Sequence, residues 1–140
     1  MHSTPAERQL PQLLAAALAA RQRAYAPYSN FAVGAALLDE QGRIHAGCNV
    51  ENAAYPEGLC AEAVALGQLV LAGGTRVLAA VVAGESATPI TPCGGCREKL
   101  REFAARDTPL VLDGGHGVVA RYTLGGLLPA GFGPDHLGPR

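Results

Sequence analysis

The 140-residue chain has no excess of positive charge: 11 Lys and Arg stand against 12 Asp and Glu, a formal net charge of −1. Proteins that follow a polynucleotide carry a clear basic excess or stripe. A nucleic acid polymer is therefore excluded as partner, and a small molecule suits the chain better. Cysteine is also scarce. Cys48, Cys60, Cys93 and Cys96 are too few and too unevenly placed for a disulfide scaffold, which points to metal binding or redox chemistry in a reducing, cytoplasmic compartment. No apolar run reaches the roughly 20 residues that span a bilayer, so no membrane is expected. Residues 13–20 form an apolar run of signal-peptide length. Mixed residues (Glu7, Arg8, Gln9, Gln12) precede it, Arg21 and Arg23 follow, and Leu10, Leu13, Leu14, Ala17 and Leu18 fall at helical spacing. It reads as a soluble amphipathic helix. Internal repeats and linkers are missing too, and the length fits one domain over 1–140.

What the chain has is apolar surface. It is 49% hydrophobic and 16% charged, with a mean hydropathy of +0.14. A small domain this apolar buries part of its surface against copies of itself, so an oligomer is expected.

Thr4-Pro5-Ala6-Glu7 has the form of a capping box with Pro at the first helical position, opening a helix that runs to about Arg23. Two strands, 32–39 and 44–49, turn at Gln41-Gly42 as a hairpin. A helix over 60–72, apolar almost all round and so buried, has Glu62 as its only charge and ends at Gly73-Gly74. A strand at 77–83, a helix at 93–105 and short strands at 110–112 and 118–122 follow. Helices alternating with strands in this order imply helices packed on a mixed sheet.

The chemistry is concentrated in Cys60-Ala61-Glu62 and Pro92-Cys93-Gly94-Gly95-Cys96. Three thiolates fill three tetrahedral positions around zinc and leave the fourth open, the mark of a catalytic site. Cys60 begins one expected helix and Cys93 and Cys96 another. Free N–H groups and the helix dipole at such ends lower thiol pKa values. A lone buried carboxylate such as Glu62 needs compensation, and a zinc-activated water both supplies it and requires a proton acceptor. The order ligand, one residue, glutamate, then Pro-Cys-x-x-Cys is that of zinc deaminases. In that chemistry the activated water attacks C4, and Glu62 carries protons to the ring nitrogen and to the departing amine.

From Tyr25 to about Phe132 the chain resembles the cytidine deaminase family, in its small homotetrameric branch. The matching stretches are Tyr28-Ser29-Asn30-Phe31-Ala32-Val33-Gly34-Ala35-Ala36, Gly47-Cys48-Asn49-Val50-Glu51-Asn52-Ala53-Ala54-Tyr55, both cysteine motifs, and Leu127-Leu128-Pro129-Ala130-Gly131-Phe132. The resemblance implies an α/β fold, a three-layer α/β/α sandwich around a five-stranded mixed sheet. It also implies one zinc per subunit on Cys60, Cys93 and Cys96, and hydrolytic deamination of cytidine and 2′-deoxycytidine in pyrimidine salvage. Asn49 and Glu51 would bind the ribose 3′-hydroxyl, Phe31 would pack near the pyrimidine, and the Ala61 carbonyl would accept from the substrate amino group. Tyr55 and Phe132 would reach a neighbouring subunit's site, making the active sites shared.

The chain departs from the family in two places. Ala63 stands where many members have an Arg that bonds the ligand thiolates, and Glu98 where Gln is usual. Three thiolates leave excess negative charge at the metal, for which Arg97 and the two helix dipoles are the available offsets; a solvated Arg97 is the other reading. For Cys93-x-x-Cys96 taken alone, a redox pair or a structural zinc knuckle competes. Cys48, which would close a four-cysteine site, reads as a small buried residue on a strand. His2, His45, His116 and His136 fall in no metal pattern and read as surface. Two alternatives stay open: a deaminase of another aminopyrimidine nucleoside, of the blasticidin S type, and a non-catalytic zinc-binding assembly module.

Overall fold

A computed structural model describes residues 3–138. The capping box forms as expected: the Glu7 N–H donates to Thr4 Oγ1 (3.1 Å) and the Thr4 N–H to Glu7 Oε2 (3.3 Å). The helix it opens does not run through. It is split into α1 (Pro5–Arg8) and α2 (Leu10–Arg21), joined at Gln9. Pro11 has no N–H to offer the Glu7 carbonyl, so the ladder is interrupted there. His2 lies outside the described residues.

Five strands follow within a residue or two of expectation: β1 (Val33–Asp39), β2 (Ile44–Cys48), β3 (Val77–Gly84), β4 (Pro109–Asp113) and β5 (Val118–Thr123). They form one mixed sheet in the order β2-β1-β3-β4-β5, with only the β3–β4 pair parallel. Between strands run α3 (Ala61–Leu71) and α4 (Gly94–Arg101), and a short α5 (Leu124–Leu127) closes the fold. The helix expected over 93–105 stops early, because the Phe103 carbonyl leaves the helix to accept the Val77 N–H (2.9 Å) at the start of β3.

Side chains alternate across a sheet, and here the alternation separates two cores. Ala35, Leu37, Ala80, Val82, Leu110 and Leu112 face α3 and α4, with Ala65, Leu69 and Leu100 packed on them. Ala36, Leu38, Ala79, Val81, Ala83 and Val111 face the other way, against Leu13 and Ala17 of α2. The result is the expected α/β/α layering. Helix α3 is not buried all round: Ala61, Glu62, Ala65, Leu66 and Leu69 are covered, while Val70 is exposed and Leu71 is 84% exposed. Its outer face, with Val70 and Leu71, is not covered by any of the described residues, so the sequence pattern overstated burial within the chain.

His45 is not a surface residue either. Its side chain is 10% exposed and its Nε2 lies 2.8 Å from Oδ2 of Asp39, which is fully buried on the neighbouring strand. Asp39 also accepts from the backbone N–H groups of Gln41 (2.8 Å) and Arg43 (2.9 Å) and from Arg43 Nε (2.7 Å). Burial by itself raises the Asp39 pKa, but His45, Arg43 and Gln41 outweigh it and hold the carboxyl well below the usual carboxylate range. A depressed folded pKa contributes stability that is complete above the unfolded value, about 4, and is lost as pH falls through the folded one. We therefore expect Asp39→Asn to lose roughly 3 kcal/mol in urea unfolding at pH 7. The gap to the wild type should narrow steadily below about pH 4. A gap that stays constant down to pH 3 would remove Asp39 from the acid response.

Candidate active site

Cys60 and Cys93 are the N-cap residues of α3 and α4, and Cys96 sits in the first turn of α4. The two helix starts meet, and all three sulfurs lie within 4.8 Å of one another, with Cys60 Sγ and Cys93 Sγ 3.9 Å apart. Sulfurs around one tetrahedral zinc stand about 3.8 Å apart, given Zn–S bonds of about 2.3 Å. The chemistry of the donors fits as well. Burial, the chief influence, together with neighbouring Cys93 and Glu62, raises the Cys60 thiol. Burial, Glu62 and the other two cysteines push Cys96 far above the ordinary thiol value. Cys93 is lowered, chiefly by the backbone N–H of Cys96. Crowded sulfurs that oppose each other's ionisation are relieved by a divalent cation at their centre. The cluster thus fits zinc, and a cysteine trio with one approach left open suits a reacting site.

Cys48 stands apart from this trio on β2 and is half-buried rather than fully buried. Cys48→Ser is expected to leave zinc content per chain unchanged, whereas Cys96→Ser should lower it sharply, as metal analysis of the purified proteins will show. Loss of metal in Cys48→Ser would restore the four-cysteine structural site.

Glu62 is 6% exposed on the first turn of α3 and makes no ion pair among the described residues. Burial raises its pKa; its own backbone N–H and the charge of Lys99 act against that without cancelling it. Lys99 was not singled out in the sequence, where it sits among the charges on the outer face of α4. Only the meeting of α3 and α4 brings its charge to bear on Glu62. Arg97 is half-buried, and its guanidinium is engaged by the protein rather than left to solvent. Its Nε donates to the Pro92 carbonyl (2.7 Å), Nη1 to the Leu127 carbonyl (2.6 Å) and Nη2 to Thr91 Oγ1 (2.7 Å).

Asn49 and Glu51, just past the end of β2, bind the loop that carries Phe31. Asn49 Oδ1 accepts from the Val33 N–H (2.9 Å) and its Nδ2 donates to the Phe31 carbonyl (2.8 Å). Glu51 accepts from the backbone N–H groups of Tyr28 (2.9 Å) and Ser29 (3.1 Å) and from the Ser29 hydroxyl. The Ser29 hydroxyl contributes most to a lowered Glu51 pKa. Ser29 is a partner that only the fold reveals, since it is 22 residues away. Tyr28, Ser29, Glu51, Asn52 and Tyr55 line an open cavity of about 350 Å³. Tyr28 and Tyr55 meet there edge to face, with ring centroids 5.8 Å apart. Phe31 is exposed, Tyr55 is 76% exposed, and Phe132 is 58% exposed and stacked on His136 at 5.0 Å. Tyr55 shares this cavity but Phe132 does not. Ala61 is the first residue of α3. Its carbonyl is turned into the helix and toward β2, where a Cβ on Gly47 would lie 2.6 Å from the oxygen. The group Ala61 leaves free at this helix start is its N–H.

Residues 7–112 match the zinc-binding region of cytidine and deoxycytidylate deaminases. The chain is 40% identical to a cytidine deaminase of Sporosarcina psychrophila over 126 residues, 90% of this chain and 93% of that one. Its fold superposes on the crystal structure of cytidine deaminase from Burkholderia pseudomallei with a TM-score of 0.82 and 45% identity, covering 87% of this chain and 98% of the other. For cytidine deaminase from Mycobacterium tuberculosis the TM-score is 0.76 at 42% identity, covering 89% and 97%.

Proposed function

We propose that this chain, which belongs to the cytidine and deoxycytidylate deaminase zinc-binding family, hydrolyses cytidine and 2′-deoxycytidine to uridine and 2′-deoxyuridine with release of ammonia. The observation that carries the reading is the convergence of three sulfurs beside a buried glutamate, on two helix starts brought together by the sheet. Cys60, Cys93 and Cys96 would hold zinc, one per chain. Bound there, zinc supplies Lewis-acid activation of the attacking water. Glu62 takes one proton from the attacking water and passes it to ring nitrogen N3, then takes the remaining proton from the hydroxyl added at C4 and gives it to the departing amine, so that C4 becomes a carbonyl and ammonia leaves. Its raised pKa suits a group that must both accept and return a proton.

The remaining residues bind and orient. Glu51, which lines the cavity, and Asn49, which braces the loop carrying Phe31, hold the ribose 3′-hydroxyl, and Phe31 packs near the pyrimidine. Ala61 contributes through its N–H rather than its carbonyl, because the carbonyl is turned toward β2. The whole chain, 1–140, acts as one such domain. Tyr55 and Phe132 project outward and complete the sites of neighbouring copies in a homotetramer. The uncovered apolar face of α3, with Val70 and Leu71, supports that assembly. Four unpaired cysteines suit a reducing, cytoplasmic compartment.

Cytidine absorbance in the ultraviolet tests the reading directly. Purified zinc-loaded protein should convert cytidine and deoxycytidine to the uracil nucleosides. Zinc-loaded protein that leaves both untouched would overturn the substrate, and other aminopyrimidine nucleosides would be tried next.

A further inference from the structure

We infer that Arg97 is a positioning residue for the metal-binding loop, holding Cys93 and Cys96 in place through its three-way fork rather than serving as a counter-charge to the thiolates. The inference rests on the reading that the cysteine trio holds zinc. The guanidinium makes three donor contacts of 2.6–2.7 Å, to acceptors from two separate places: Thr91 Oγ1 and the Pro92 carbonyl just before the cysteine loop, and the Leu127 carbonyl 30 residues on. None of them is a thiol or carboxylate.

The two carbonyls need this donor. Pro92 is fully buried directly before Cys93, and a buried carbonyl without a partner is costly. Leu127 ends α5, where helix carbonyls lack intrahelical partners. The fork therefore closes the Thr91-Pro92-Cys93 approach onto the helix that carries Cys96. It also ties that approach to the segment running on to Phe132. Two further arginines hold this stretch and its continuation, Arg106 at the Gly131 carbonyl (3.3 Å) and Arg101 at Asp135, three residues past Phe132 (2.6 Å). A lysine at position 97 would keep the charge, but one ammonium cannot reproduce a rigid planar fork.

The test is zinc release from the holoprotein into a colorimetric chelator, for the wild type, Arg97→Lys, Arg97→Gln and Thr91→Val. Visible spectra of the cobalt-substituted proteins would be recorded alongside. Groups that orient metal ligands change affinity by about 10- to 100-fold when removed. Both Arg97 variants should release zinc at least about tenfold faster, with Lys no better than Gln. Both should show altered cobalt–thiolate bands, and Thr91→Val a smaller change in the same direction. Wild-type release and spectra in Arg97→Lys, with Gln alone impaired, would make Arg97 a counter-charge and overturn the inference. Wild-type behaviour in both would also overturn it. If neither Arg97 variant folds, Thr91→Val decides: faster release supports the fork and unchanged release refutes it. A wild type that takes up no zinc would instead overturn the metal reading beneath.

Discussion

Glu62→Gln should yield a folded, zinc-loaded protein whose deamination of cytidine is slower by at least about 10²- to 10⁴-fold, the range a positioned acid–base group supplies. Glutamine keeps the volume and a carbonyl oxygen but cannot carry a proton. The site around Glu62 is arranged for that transfer. The residue is almost wholly buried, which raises its pKa, while its own backbone N–H and the charge of Lys99 limit the rise. Stability should not fall in the variant, since a neutral amide is easier to bury than a carboxylate. The substitution thus separates chemistry from folding. It also separates the enzyme from a non-catalytic zinc module, in which Glu62 has no task and its replacement changes nothing. Turnover at saturating cytidine, zinc content and melting temperature are the three measurements. Turnover within tenfold of wild type, with metal bound, would remove Glu62 as the proton carrier.

Features written into short stretches of chain were legible in advance. Strands β1, β3 and β4 are largely apolar runs, so their limits were read to within a residue or two. The cysteine trio was legible because each ligand lies in a local motif, although residues 60 and 93 meet only through the sheet. What was not legible depends on pairing between elements. His45 reads as a surface residue until the β1–β2 hairpin brings it to Asp39. Lys99 reads as a solvated charge until α3 and α4 converge. Arg97 was read as a counter-ion or as solvated, because charge is visible in a sequence and carbonyl partners such as those of Pro92 and Leu127 are not. The outer face of α3 misled for another reason. An apolar helix can be covered by its own chain or by another, and hydropathy does not distinguish the two.

Gly47→Ala should destabilise the protein by about 1–3 kcal/mol, the usual cost of overpacking, and weaken zinc retention with it. Gly47 lies on β2 directly beneath the first turns of α3. A Cβ there would stand 2.4 Å from the Ala65 backbone nitrogen, 2.6 Å from the Ala61 carbonyl oxygen and 2.9 Å from Val64 Cβ. Two of these are backbone atoms of one helix, so no side-chain rotation makes room. Either β2 bends away from β1 or the start of α3 lifts from the sheet. The second movement would carry Cys60 and Glu62 away from Cys93 and Cys96, which sit on a different helix. Gly58→Ala is the matched comparison. It lies in the loop just before Cys60 at φ −64°, and an added carbon meets nothing closer than 3.5 Å. Urea unfolding and zinc release should separate the two variants, with Gly58→Ala close to wild type in both. If Gly47→Ala matched it, the sheet would be yielding without disturbing the helix, and the close approach of α3 to β2 would not be what places Cys60 and Glu62.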